Sequence, residues 1–290
     1  MKYQCSVIVP VYNTDSIFIR QALKSIKEQE EPVKAIIVDD GSTSKYTKQE
    51  LNEWASSNPD WVFLRNRFNR GQAAARNRAL QLVDTEYTAI LDSDDIWGKN
   101  KIDYQLAAMT EQKSTANICR TRIRRTTDGF NTNKVEVTTP APLLEELVSY
   151  TDSYRPFIML SRFNASICGS NAVFQTKALR KAQGFPKRWS GLDEWVALLE
   201  VLYYTYTPNS LSISPQAEVT YRRYAKSYSQ VNHALLQDKV EDFICFNRKR
   251  MAPSPKQFLD SPEVAIWAHK LSRVLEYEPD ELGIPAYGGL

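Results

Sequence analysis

The sequence predicts an α/β protein: a doubly wound, mostly parallel sheet carrying a helical C-terminal appendage. Three observations lead there. Short apolar runs alternate with helix-period stretches through the first hundred residues. Two of the apolar runs end in clusters of aspartate. Beyond about Ser227 the chain reads as mainly helical, broken by Pro253, Pro255 and Pro262.

The elements follow in order. Ser6 to Val11 is an unbroken apolar run apart from its first residue, as in a strand buried on both faces. Tyr12-Asn13-Thr14-Asp15 reads as a loop and helix cap. Ile17 to Gln29 places Ile19, Ala22, Leu23 and Ile26 at a helical period. Val33 to Val38 is the second strand, Gln49 to Ser56 a helix, Trp61 to Leu64 the third strand. Ala73 to Leu82 is a helix, Tyr87 to Leu91 the fourth strand and Ile102 to Met109 another helix.

The second half is less regular. Cys119 to Arg125 is a candidate strand, and Asp128-Gly129 before Val135-Glu136-Val137 suggests a hairpin. Leu143 to Val148 reads as helix, Ala172 to Phe174 as strand, and Lys177 to Ala182 as a short helix ending at Gly184. Leu192 to Tyr204 is a strong helix and Thr220 to Tyr224 a strand. This divides the chain into a main domain over 1–229 and a helical extension over 230–290.

Composition narrows the chemistry. The 290 residues carry 37 Lys+Arg against 34 Asp+Glu, a mild net charge of +3 that neither demands nor excludes a polyanionic partner. His233 and His269 are the only histidines, too few for a multi-histidine zinc site. Cys5, Cys119, Cys168 and Cys245 are isolated in sequence, which suits a reducing compartment. The apolar run from Cys5 to Val11 is far shorter than the roughly 20 residues of a spanning helix. No small-residue cleavage site follows it. The expectation is a cytoplasmic protein without a transmembrane segment.

In a doubly wound sheet the loops after parallel strands share one edge, where such sheets bind ligands. Asp39-Asp40 and Asp92-Ser93-Asp94-Asp95 both belong there. So many carboxylates repel one another unless a cation offsets them. Hard divalent ions, Mn²⁺ or Mg²⁺, take oxygen ligands and pair with phosphates. Neither GxGxxG nor GxxxxGK[ST] is present. A diphosphate would therefore be held by metal and side chains.

The ordered set Ser6-Val7-Ile8-Val9-Pro10-Val11-Tyr12-Asn13, Ile37-Val38-Asp39-Asp40-Gly41-Ser42, Asn69-Arg70-Gly71 with Ala75-Arg76-Asn77, and Leu91-Asp92-Ser93-Asp94-Asp95 resembles the inverting, GT-A-fold glycosyltransferases of family 2. The resemblance covers about residues 5 to 110. It implies that Pro10, Val11 and Tyr12 line the base pocket of a nucleotide-diphosphate sugar. It gives Asp40, and less readily Asp39, a hydrogen bond to the base. Gly71 and Arg76 would shape the nucleotide site. Asp92-Ser93-Asp94 corresponds to the DxD motif, with Asp92 near the ribose, Asp94 on Mn²⁺ or Mg²⁺, and Asp95 an additional or supporting ligand.

The same resemblance places an acidic pair at a helix start to act as general base. Gly191-Leu192-Asp193-Glu194-Trp195 sits in that context, after Gly169-Ser170-Asn171-Ala172-Val173-Phe174. The family order is Glu-Asp; here it is reversed. Register gives the base to Glu194, with Asp193 as the alternative. Trp195 is expected either to stack on a sugar or to join the core. Tyr224 stands where the family often has a histidine, so no histidine ligand is expected. Arg222, Arg223 and Lys226 are candidate diphosphate contacts.

Arg120, Arg122 and Arg124 alternate along one strand. That is either a charged, protected edge strand or a positive stripe for phosphates. The function expected is transfer of a sugar from a nucleotide-diphosphate donor, UDP-linked by default, to a glycan or lipid-linked glycan. Transfer to a modified base in DNA is the alternative acceptor chemistry. A nucleotidyltransferase and an inactive nucleotide- or glycan-binding module are the alternatives from other classes.

Overall fold

In the computed structural model, residues 3–126, 135–138, 168–205, 209–224, 232 and 238–239 are described. Strand β1 (Cys5–Val11) is central and fully buried. It pairs in parallel with β2 (Val33–Asp39) on one side and β4 (Tyr87–Ile90) on the other. Strand β3 (Val62–Arg65) extends the parallel half beyond β2. Past β4 the sheet becomes mixed. β8 (Ala172–Gln175) runs antiparallel to β4 and to β6 (Ala116–Thr126), and β6 runs parallel to β9 (Leu211–Tyr224). The order among the described residues is β3-β2-β1-β4-β8-β6-β9-β5, where β5 is Ile96–Trp97. β7 (Val135–Thr138) pairs antiparallel with β6, the expected hairpin.

Side-chain alternation splits the core into two layers. Ile8, Ile36, Val38 and Ile90 face α3 (Gln72–Leu80), α5 (Thr176–Lys181) and α6 (Asp193–Tyr204). Val7, Val9, Val11, Ala35 and Ile37 face α1 (Ser16–Lys27), α2 (Lys45–Ser57) and α4 (Lys101–Gln112). Asp15 caps α1 through the Ile17 N–H at 2.9 Å, as expected. Ser44 caps α2 and starts it four residues earlier than the apolar period indicated.

Three expectations are revised. Strand β9 begins at Leu211, not Thr220. Strand β6 lies inside the sheet between β8 and β9, so its arginines do not protect an edge. Arg120 and Arg122 both reach Glu218 on β9, at 3.3 and 2.7 Å, which offsets part of the expected positive stripe. The expected helix at Leu143–Val148, most of the 230–290 extension, Lys226 and the Arg124 side chain lie outside the described residues. So do His233, His269 and Cys245. From the C-terminal region, Lys239 Nζ donates to the Ser190 carbonyl at 2.7 Å. No helix among the described residues is long and apolar enough to cross a membrane. Cys5, Cys119 and Cys168 are buried free thiols, and burial raises all three pKa values.

Candidate active site

The carboxyl ends of β1, β2, β3 and β4 open on one edge, and the start of α6 reaches the same edge. β4 pairs with β1 only as far as Ile8 opposite Ile90, while β2 continues to Asp39 opposite Val11. Pro10, which has no N–H to donate, thus falls where β1 has lost one neighbour. Pro10 and Val11 are buried, and Tyr12 emerges into solvent at 48% exposure.

The loop after β2 is built by its own carboxylates. Asp39 accepts from the Ser42 N–H at 2.8 Å and from Arg65 Nε at 2.7 Å. Asp40 accepts from Asn66 Nδ2 at 2.5 Å and from the Gly71 N–H at 2.8 Å. The Arg70 N–H lies 3.1 and 3.0 Å from its two oxygens. Asp40 therefore closes the β3–α3 loop, and Asp39, with one donor on each oxygen, carries fewer bonds. Gly41 has φ +78°, and a Cβ there would lie 2.5 Å from the Phe68 carbonyl carbon, so only glycine lets these two loops meet. Asn13 ties in the β1 loop by accepting from the Thr43 and Ser44 N–H groups at 2.8 and 2.9 Å.

The loop after β4 is held differently. Ser93 Oγ sits 2.7 Å from Thr14 Oγ1. Asp92 accepts from Gln72 Nε2 at 3.1 Å and Arg76 at 2.6 Å. Burial and the nearby Asp92 push Asp94 up to about 6, with Arg222 pulling the other way. The Tyr224 hydroxyl lies 3.4 Å from Asp94 Oδ2. Asp95 is fully buried; its oxygens receive Ser170 Oγ at 2.5 Å and the Arg222 N–H at 3.0 Å. Burial raises its pKa well above the usual range, followed by Asp94 and Asp92. Asp95 thus frames the loop, and Asp94 is the more open oxygen donor.

Arg76 joins the two halves of the edge. Its side chain is fully buried. One nitrogen reaches Asp193 and Glu194, each at 2.7 Å, and another reaches Asp92 at 2.6 Å. Burial opposes the charge, and the three carboxylates outweigh it, raising the pKa further above that of a free arginine. An arginine on a helix of hydropathy like α3 reads from sequence as a solvated side chain. Its partners lie 16, 117 and 118 residues away, so no local pattern reveals them.

The acidic pair at the α6 start divides in two. Asp193 is fully buried; it accepts from Arg76 on Oδ2 and from the Gly191 N–H on Oδ1 at 2.9 Å. The Glu194 side chain is 12% exposed and meets Arg76 through Oε2. Burial lifts it to about 7, with Arg76 opposing and Asp193 and Asp92 adding. Gly71 lies at the start of α3, close to Ser190.

Trp195 takes the core place, one of its two expected ones, and Arg222 turns away from the edge. Trp195 is 1% exposed and packs in the core beneath α6, so it cannot stack on a sugar at the edge. Arg222 is 3% exposed, bonded to the Asp94 carbonyl and to Gln21 at 2.5 Å, and stacked 4.1 Å over Phe18. It braces the Asp92–Asp95 loop from behind. Arg223 is half-buried on the same strand.

The chain matches the family model described as "Glycosyl transferase family 2" over residues 6–182, more than half its length. It is 38% identical over 108 residues to the putative teichuronic acid biosynthesis glycosyltransferase TuaG of Bacillus subtilis, covering 37% of this chain and 42% of that protein. It is 34% identical over 107 residues to the UDP-Glc:alpha-D-GlcNAc-diphosphoundecaprenol beta-1,3-glucosyltransferase WfgD of Escherichia coli, covering 37% and 41%. The matches thus span less than half the length of these relatives. Among solved structures, the mannosyltransferase PcManGT from Pyrobaculum calidifontis, in complex with GDP-Man and Mn²⁺, superposes with a TM-score of 0.63 at 19% identity. That match covers 99% of this chain and 76% of the other. S. aureus TarS 1–349 in complex with UDP-GlcNAc gives 0.58 at 20% identity, covering 94% and 71%. These likenesses show the GT-A fold.

Proposed function

The chain belongs to glycosyl transferase family 2, and from that premise we propose an inverting glycosyltransferase that moves a sugar from a nucleotide-diphosphate donor to an acceptor hydroxyl. One observation carries the reading. Buried Arg76 draws Asp92 of the donor loop and the Asp193–Glu194 pair into a single constellation. Donor recognition and proton removal thereby share one edge.

Glu194 is the proposed base. Both Asp193 oxygens are already bonded, whereas Glu194 is partly exposed and titrates near neutrality. A base with a pKa near the working pH is well matched to taking a proton as the hydroxyl attacks. Attack from the face opposite the leaving nucleotide inverts the anomeric centre. On the donor side, Pro10, Val11 and Tyr12 form one wall of the base pocket. Asp39 is favoured over Asp40 for the hydrogen bond to the nucleobase, because Asp40 is filled by Asn66, Arg70 and Gly71. Arg223 remains a proposed diphosphate contact.

Mn²⁺ or Mg²⁺ fits this donor set. Asp94 is a desolvated carboxylate with no side-chain cation in hydrogen-bond range among the described residues, which favours a bound divalent ion. Among the described residues no group of three or more His, Cys, Asp or Glu forms a ready-made cage. An ion held by one or two carboxylates and completed by substrate phosphates needs no such cage. Asp94 would hold it, and it would supply charge neutralisation of the departing nucleotide diphosphate.

UDP-sugars are the default donors and a glycan or lipid-linked glycan the proposed acceptor, in keeping with the names of the relatives. A thermal-shift screen of UDP-glucose, UDP-GlcNAc, GDP-mannose, CMP- and dTDP-sugars with Mn²⁺ identifies the donor. NMR of the product then reports the anomer. Stabilisation by one nucleotide sugar and an inverted anomer are expected; a retained anomer overturns the mechanism.

A further inference from the structure

Gly169 begins the short turn Gly169–Asn171 that leads into β8. Its φ is not in the left-handed region that favours glycine, unlike Gly41, Gly71, Gly184 and Gly191. The backbone there accepts any residue. What excludes a side chain is Glu194. A Cβ at 169 would lie 2.6 Å from Glu194 Cγ, 2.9 Å from its Cβ and 3.2 Å from its Cδ. Carbon atoms cannot approach that closely, so one of the two residues would have to move.

The turn cannot be the one that yields. Ser170 Oγ bonds the Asp92 N–H at 2.9 Å and Asp95 Oδ2 at 2.5 Å, and its carbonyl accepts from Trp97 Nε1 at 3.0 Å. Asn171 Nδ2 bonds Thr121 Oγ1 at 3.0 Å, and its carbonyl accepts from Gln105 Nε2 at 2.9 Å. All three residues of the turn are buried. The turn is fixed to the DxD loop on one side and to the sheet on the other.

We infer that Gly169 is a positioning residue: the missing side chain sets where the Glu194 carboxylate stands relative to the Asp92–Asp95 loop. The inference rests on the reading of Glu194 as general base. An alanine at 169 would push the glutamate off Arg76 and away from the attacking hydroxyl. Displacement of a catalytic group by about 1 Å costs on the order of 10²-fold in rate.

The test is a double-mutant cycle on the full chain. Hydrolysis of UDP-glucose and UDP-GlcNAc, with water as the attacking hydroxyl, is followed as UDP release with Mn²⁺, and UDP binding is measured by calorimetry. Gly169→Ala is expected to lower kcat on the order of 10²-fold, with donor KM and UDP affinity at parental values. In the Glu194→Gln background the same change is expected to cost nothing further. An unchanged kcat in Gly169→Ala, or an equal loss in both backgrounds, overturns the inference. Should Gly169→Ala unfold, adding Glu194→Gly removes all three obstructing carbons and is expected to restore folding; failure to restore it overturns the inference too. Parental turnover by Glu194→Gln alone would refute the base assignment, a result distinct from either.

Discussion

The acidic loops after β2 and β4 flank the same central strand, yet they are treated in opposite ways. After β2, Asp39 and Asp40 are surrounded by donors: Ser42, Arg65, Asn66, Arg70 and Gly71. Asp40, bonded by three of these donors, is the more fully engaged of the two, and together they shape three loops into one rim. After β4, Asp94 is half-buried with few donors, and its pKa rises to about 6. Burial without compensating hydrogen bonds stores unfavourable charge that a cationic ligand can relieve. Aspartates at equivalent strand ends thus differ in how far the donors of their neighbours satisfy them.

Substitutions can break this contrast. The largest effect is expected at the residue that links the loops to α6. Arg76→Met leaves Asp92, Asp193 and Glu194 without their shared counter-charge. A loss of about 3–5 kcal/mol is expected by urea unfolding; a loss below about 1 kcal/mol would mean the hub organises nothing. Next comes Asp94→Asn, which should lower turnover by about 10²–10³-fold while leaving the thermal midpoint unchanged or higher. Asp40→Ala should do the reverse. It strands the Asn66, Arg70 and Gly71 donors and should cost about 1–3 kcal/mol of stability, read by the same unfolding assay.

The smallest effect is the pH response of the acidic pair on α6. Glu194 acts as a base only when deprotonated, and burial raises its pKa to about 7. Turnover should therefore rise with pH, increasing about tenfold from pH 6 to pH 8. A rate that is flat over that window would separate Glu194 from the proton transfer.

The first four strands and their helices were legible because each is a local pattern: an apolar run, then a 3.6-residue period. The acidic strand ends were legible for the same reason. The first half of β9 was not. Its Ser212 and Ser214 are buried polar residues that bond Asn117 Nδ2 on β6 at 2.7 and 3.1 Å. A strand satisfied by polar partners across the sheet reads as a loop in one dimension. β5 was too short to register, with two residues. Within the site, the residue types were legible and their contacts only partly so. The burial of Trp195, the bracing role of Arg222 and the carboxylates gathered by Arg76 depend on contacts between distant segments. So does Gly169, whose signal is a void shaped by a helix that starts 24 residues later.

The central claim is that Glu194, held by Arg76 and admitted by Gly169, removes the acceptor proton. The most direct measurement is hydrolysis of UDP-glucose and UDP-GlcNAc, with water as the acceptor hydroxyl, by Glu194→Gln beside the parent protein, with UDP affinity determined on the same preparations. A rate lower by about 10²–10⁴-fold at unchanged UDP affinity is predicted. Parental turnover by Glu194→Gln, with the loss appearing instead in Asp193→Asn, would contradict it.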